Sequence, residues 1–252
     1  MFAEKLKRQG YIIKSFKDKD YTNIIRRIIK KHFSKHEEYY CKISRDKFSK
    51  IALKCQNEIN RSEIIKKFHL SEKDFLSQLL PKDTPMYSSS GYLRVVRPSL
   101  KKNNTESLSW HRETFYSNRK TTYHAINVWF PVSKVDNKNM LKYIPKSHLI
   151  SDKKIKRRRV KVLNNKVKKL SPEHKLGFVY EPKKILSGVN LKKQKKFKIK
   201  NGEFTAFSAL LVHGNGENTT NKIRYAFGFG IIPKSKVNSK KIDSKNNTYI
   251  EF

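Results

Sequence analysis

Cysteine is nearly absent: Cys41 and Cys55 are the only two in 252 residues. That excludes a disulfide framework and a cysteine-rich zinc module, and both residues are read as small core side chains. Long apolar runs are missing too. The richest stretch, Phe204–Val212, contains Thr and Ser and has less than half the length that a bilayer span requires. The basic segment Met1–Lys14 has no apolar centre and no small-residue cleavage site. No secretory signal is therefore expected, and a cytoplasmic location is the default. Acids are scarce, 21 against 58 lysines and arginines, for a net charge of +37. Zinc-finger spacing, an aromatic RNA-binding signature and a phosphate-loop glycine motif are all lacking.

The charge itself points two ways. A basic surface suits a nucleic-acid binder, which neutralises phosphates. Yet the cations divide into 45 Lys and 13 Arg, beside 19 Asn. That is the mark of an AT-rich genome, whereas dedicated nucleic-acid readers favour Arg for its bidentate fork. The distribution says more than the total. Residues 151–200 hold 19 cations and 3 acids, while Thr105–Val132 and Asn201–Pro233 together come to +1. With 37% apolar and 12% aromatic residues, a folded core is expected despite the charge.

The first eighty residues read as helical. Ile24, Ile25, Ile28 and Ile29 recur at helical spacing after Asp20, and Phe48, Ile51, Ala52, Cys55 and Ile59 do so after Ser44. Ser71 and Asp74 resemble a capping box for a short helix that ends by Pro81. From Gly91 the pattern turns to strands: Tyr92–Arg97, Ser107–Phe115, His124–Val132, Lys142–Ile144, Glu203–Val212 and Ile223–Ile232. Residues 151–200 form a basic, irregular insertion, and the polar tail 234–252 is expected to be disordered. Residues 1–233 are thus read as one domain, with a helical part (1–80) and a strand-rich core (91–233).

Non-haem iron oxygenases hold the metal with two His and one carboxylate on one face. His-x-acid alone is weak, since 8 His and 21 acids produce about 0.7 such pairs by chance. Two occur. His36-x-Glu38 lies in a helical or irregular stretch, where positions i and i+2 diverge. His111-x-Glu113 lies in a strand, where i and i+2 share a face. The third ligand would be His213, at the end of the strand Phe207–His213. Eleven residues on, Arg224 interrupts an apolar strand, and a buried Arg there requires an anionic partner such as a carboxylate.

The order Trp110-His111-Arg112-Glu113, Val128-Trp129-Phe130-Pro131, Ile144-Pro145-Lys146-Ser147-His148 and Val212-His213-Gly214-Asn215, with Asn218 and Arg224, resembles the phytanoyl-CoA dioxygenase-like family. The resemblance runs from about Tyr92 to Pro233. It implies an α+β chain in which N-terminal helices pack on a double-stranded β-helix, a cupin-like jelly roll. It also implies Fe(II) and 2-oxoglutarate as cofactors: His111, Glu113 and His213 bind the metal, and Arg224 binds the distal carboxylate of 2-oxoglutarate. Trp129 falls where the family often lines the co-substrate pocket, with core packing as its other reading. Two departures stand out: Glu113 replaces the usual Asp, and Lys146 replaces Gly in the turn before His148. Because a carboxylate is kept, a halogenase-like site is not expected. His148 is read as a turn residue.

The implied activity is hydroxylation of a small molecule with O2, releasing succinate and CO2. The charge of the 151–200 insertion suits a substrate that is acidic, phosphorylated or carrier-linked. The alternatives are a basic nucleic-acid-binding protein on a non-catalytic jelly roll, or an oxygenase acting on nucleic acid.

Overall fold

The computed structural model describes residues 1–18, 20–98, 109–117, 120–160, 167–178, 182–237 and 249–252. Its central strand, β11 (Arg224–Pro233), follows a strict two-residue alternation. Tyr225, Phe227, Phe229 and Ile231 join the core beneath the helices, whereas Arg224, Ala226, Gly228 and Gly230 turn to the opposite face. All pairs in the large sheet are antiparallel. β11 lies between β4 (Ile126–Pro131) on one edge and β3 (Tyr92–Val96) with β2 (Pro85–Ser88), end to end, on the other. β4 continues to β9 (Glu203–Ser208) and then β1 (Tyr11–Ser15), and β2 continues to β12 (Tyr249–Ile250).

A smaller sheet runs β10 (His213–Asn215), β5 (Leu141–Tyr143), β8 (Lys195–Lys196), and a single bridge between His111 and His213 extends it. The two sheets enclose Trp129, Phe207, Ala226, Leu141, Tyr143 and Phe197. This is the expected jelly roll. Outside it stands a ladder of β6 (Lys156–Arg159) and β7 (Lys183–Ser187).

Helices α1 (Phe2–Gln9), α2 (Asp20–His32), α3 (Glu37–Lys42), α4 (Arg45–Arg61), α5 (Ile64–Ser71) and α6 (Lys73–Leu79) pack against the aromatic face of the large sheet. A short α7 (Pro172–Lys175) packs on α4. The helical spacing read in the sequence delivers Ile25, Ile29, Phe48, Cys55 and Ile59 to this interface. Phe68 is fully buried, its ring 5.2 Å from Phe204 and 5.1 Å from Phe229. Such a side chain contributes about 1.5–3 kcal/mol by leaving water. Ser44 caps α4 by accepting the Lys47 N–H at 3.3 Å. Among the described residues, no helix is long and apolar enough to cross a membrane.

Several elements differ from expectation. The N-terminal part is not wholly helical, because Tyr11–Ser15 pairs with β9 from nearly two hundred residues away. Buried Glu72 fastens that strand to the helices, accepting from Lys14 Nζ and Lys17 N–H at 2.7 Å each. Ser71 ends α5, its hydroxyl donating to the Phe68 carbonyl, so it caps no following helix. Cys41 is exposed, unlike Cys55. The expected strand Ser107–Phe115 is reduced to the bridge at His111, and a 3-10 turn begins at Glu113; residues 107–108 lie outside the described ones. The run Glu203–Val212 ends as a strand at Ser208, where a turn hands the chain to the second sheet. The basic insertion contains β6, β7 and β8, with 161–166 and 179–181 outside the described residues. Of the tail, 238–248 lie outside them too, whereas Tyr249 and Ile250, both strand formers, pair with β2.

Candidate metal centre

Two short segments are locked together where the sheets meet. His111 N–H donates to the His213 carbonyl and His213 N–H to that of His111, both at 2.9 Å. This reciprocal pair sets the imidazole rings side by side, with centroids 4.3 Å apart. The turn Lys146–Leu149 braces both segments. Ser147 Oγ accepts the Val212 N–H at 2.8 Å, and Arg112 Nη2 donates to the Ser147 carbonyl. Arg112 is itself buried and paired with Asp152 at 2.6 Å. Lys146 sits at φ 57°, ψ 8°, so it keeps the left-handed turn that glycine would adopt more cheaply. His148 points away from the centre; its Nε2 lies 2.9 Å from the Lys7 carbonyl, and its ring presses on Gly10.

The His-x-Glu pair reaches the centre by a route the sequence did not show. Strand alternation predicted that His111 and Glu113 share a face, but the 3-10 turn at Glu113 is what brings the carboxylate round. One nitrogen from each His and one Glu113 oxygen lie within 4.8 Å of one another. Glu113 Oε1 is 3.5 Å from His213 Nε2 and 4.0 Å from His111 Nε2. Each Nδ1 is tied to a backbone carbonyl: His111 to Ser109 at 2.6 Å and His213 to Leu211 at 2.9 Å. That bond places the ring proton on Nδ1 and leaves Nε2 with a free lone pair aimed at Glu113. Asn127 Nδ2 donates to Glu113 Oε1 at 3.3 Å.

Burial, with His213 alongside, pushes the His111 imidazole down to about 3, so it is neutral and a competent donor at ordinary pH. Burial raises the Glu113 carboxyl, but its two imidazole neighbours and the Arg94 guanidinium outweigh it and bring it to about 2, so it is ionised. Two imidazole nitrogens and one carboxylate are the donor set that suits a divalent transition metal. The residues fit such an ion.

A cavity of about 360 Å³ opens from this centre, within the range of small-molecule sites. His111, Glu113, His213 and Trp129 line it. Arg224 stands on the same face of β11 as Gly228 and Gly230 but is sealed from solvent and outside the lining. Its Nη1 donates to the Asn139 carbonyl at 2.7 Å, while Nε and Nη2 have no partner among the described residues. Burial, aided by Arg94, pushes its guanidinium down to about 10. Trp129 Nε1 is likewise unpartnered and buried. Three donors thus wait on the inner face for an acceptor, which fits a carboxylate entering from the cavity.

The model for the phytanoyl-CoA dioxygenase (PhyH) family matches residues 8–226. The chain belongs to that family. Oxygenase chemistry comes with this membership, and the match extends the likeness read from Tyr92 onward into the N-terminal helices. Among solved structures, the PhyH-family fold is shared with EvdO2 from Micromonospora carbonacea var. aurantiaca, complexed with 2-oxoglutarate. That likeness has TM-score 0.62 and 10% identity, over 92% of this chain and 89% of that one. A non-heme monooxygenase, ThoJ, gives TM-score 0.57 at 16% identity over 92% and 77% of the two chains. The epimerase SnoN, in complex with Fe3+, alpha ketoglutarate and nogalamycin RO, gives 0.52 at 13% identity over 99% and 92%. At these identities the likeness is one of fold. No curated protein matches the chain by sequence.

Several cavity residues escaped the sequence reading. Arg94 on β3, Asn127 on β4, Tyr116 and Tyr249 all line it. Arg94 carried the signal that singled out Arg224, a cation inside an otherwise apolar strand, Leu93 to Val96. Tyr249 carried none, because its place depends on a pairing between the tail and β2.

Proposed function

We propose that this PhyH-family protein is an Fe(II)/2-oxoglutarate-dependent dioxygenase that hydroxylates a small molecule. His111 and His213 would hold iron through Nε2 and Glu113 through its carboxylate. Arg224, helped by Trp129 Nε1, would hold the distal carboxylate of 2-oxoglutarate. The observation that carries the reading is the convergence of three preorganised donors on a cavity lined by Trp129, with the orphaned guanidinium of Arg224 buried on the same face of β11 as the lining residues Gly228 and Gly230. Iron with 2-oxoglutarate and O2 supplies an oxidant for a substrate C–H bond, with succinate and CO2 as co-products.

The chain's own residues then orient and protect. The carbonyls of Ser109 and Leu211 fix both imidazole tautomers, and Asn127 steadies the Glu113 carboxylate. Ala226, Gly228 and Gly230 keep side-chain bulk off the floor between the metal centre and Arg224. A Cβ at Gly228 would stand 2.9 Å from the Val128 carbonyl, so the floor tolerates nothing larger. The aromatic walls, Phe207 and Tyr116 among them, keep water from the reacting centre.

The test is an anaerobic titration with Fe(II) and 2-oxoglutarate, watching for the metal-to-ligand charge-transfer band. It should form in the wild type and vanish in His213→Ala and Arg224→Ala. Aerobic succinate formation should disappear together with it in His111→Ala and Glu113→Ala. No band in the wild type, or turnover of 2-oxoglutarate without iron, would overturn the proposal.

A further inference from the structure

Arg94 is the one cation on the cavity wall among the described residues. It projects from β3, opposite Ala226 on β11, on the face that also carries Arg224. Its head is positioned by the protein without being neutralised. Nη1 donates to the Leu176 carbonyl at 2.9 Å, the guanidinium carbon sits 5.3 Å from the centre of the Tyr92 ring, and the backbone of Gly177 packs against the nitrogens. No carboxylate lies within ion-pair distance of it among the described residues, although Glu113 is close enough to interact with it electrostatically. An Arg held by one neutral carbonyl keeps donors to spare.

Charge balance says what those donors meet. Among the described residues, Arg94 and Arg224 against Glu113 leave the cavity and its floor with one net positive charge. A divalent metal and a dianionic co-substrate cancel each other, so loading the site leaves that charge in place. Arg94 is half-buried, and a substrate that fills the cavity would strip the remaining water from it; an unpaired cation so desolvated is costly, and a ligand bearing one negative charge would remove the cost. The planar fork of Arg suits a carboxylate, and the surrounding Tyr92, Tyr116 and Tyr249 offer an apolar and aromatic enclosure.

We infer that Arg94 binds the carboxylate of the primary substrate, and that this substrate is a small organic acid with an apolar or aromatic body. The inference rests on the dioxygenase reading above, since it assigns 2-oxoglutarate to Arg224 and leaves Arg94 for the other ligand. In this view Arg94 selects and orients the substrate, and takes no part in holding iron or 2-oxoglutarate.

The probe is acetate against acetamide, an almost isosteric pair small enough to enter any substrate pocket. Each is titrated anaerobically into the full chain loaded with Fe(II) and 2-oxoglutarate, reading the shift of the charge-transfer band. In the wild type acetate should bind about tenfold or more tighter than acetamide, as expected for loss of a charge-assisted pair. Arg94→Gln should keep the band and lose the preference, and Arg94→Lys should restore part of it. An equal response to both probes in the wild type, or an undiminished preference in a folded Arg94→Gln, would overturn the inference. Bleaching of the band by acetate, in place of a shift, would mean displacement of 2-oxoglutarate and would also refute it. Absence of the band from the outset refutes the dioxygenase reading instead, and the inference falls with it.

Discussion

Ser147→Ala removes a single oxygen, and the surroundings define what is lost. The Ser147 carbonyl that accepts from Arg112 is backbone and stays, as does the Ile144 N–H bond to the Val212 carbonyl at 2.9 Å. What disappears is the acceptor for the Val212 N–H, a fully buried donor 2.8 Å from Ser147 Oγ. Leaving a buried N–H unmade costs about 1–3 kcal/mol. For a chain of this size each kcal/mol moves the melting temperature by about 2–4 °C, so a fall of roughly 2–12 °C is expected. Urea denaturation of the metal-free protein should show the same loss as a lower midpoint at unchanged slope. Because Val212 precedes His213, iron affinity should also weaken, by about tenfold or more, as for other groups that orient ligands. A melting temperature within about 1 °C of wild type, together with unaltered iron affinity, would refute the idea that this turn braces the ligand segments.

The neighbouring Lys146→Gly should act in the opposite direction. Relief of the left-handed backbone outweighs the added freedom of the unfolded chain, giving a gain of about 0.5–1 kcal/mol by urea denaturation. Arg224→Met should separate stability from function: it removes a buried cation with two orphaned nitrogens, raising ligand-free stability by about 1 kcal/mol, while 2-oxoglutarate binding by calorimetry is lost. The metal-free protein should lose stability as pH falls below 6.5, the ordinary value for His. His111 is held neutral down to about 3, so the unfolded chain takes up a proton there that the native one refuses. That is a slope of at most about 1.4 kcal/mol per pH unit, and His111→Gln should flatten it in pH-dependent urea denaturation.

How much of this was legible in the sequence depends on the distance over which each signal acts. Helices α2 and α4 were written locally, in isoleucine spacing and in the Ser44 cap, and the structure holds them where the periodicity put them. β1 was not, for Tyr11–Ser15 is five residues whose partners at 203–207 nothing nearby announces. The triad His111, Glu113, His213 was legible because chemistry restricts the residue types, although the strand invoked to align the first two is barely present. His213 opens a new strand where the sequence showed the end of an old one; a short turn after Ser208 changes sheets without any Gly or Pro to mark it. Arg94 and Arg224 carried the same kind of mark, yet only one had a motif beside it to attract notice.

The reciprocal bond between His111 and His213 has a consequence for how the molecule behaves over time. Elsewhere in the sheets a broken rung is held in place by the rungs beside it, so opening is cooperative and slow. Here the ladder is one residue long, and among the described residues the only other backbone bond between the two segments runs from the Glu113 N–H to the Ala209 carbonyl at 3.1 Å. Those two amides should therefore exchange with solvent by a small local fluctuation in the metal-free chain. An ion gripping both side chains would couple that fluctuation to its own dissociation. Deuterium uptake at two backbone positions then becomes a clock for metal residence, one that keeps time without any substrate being added.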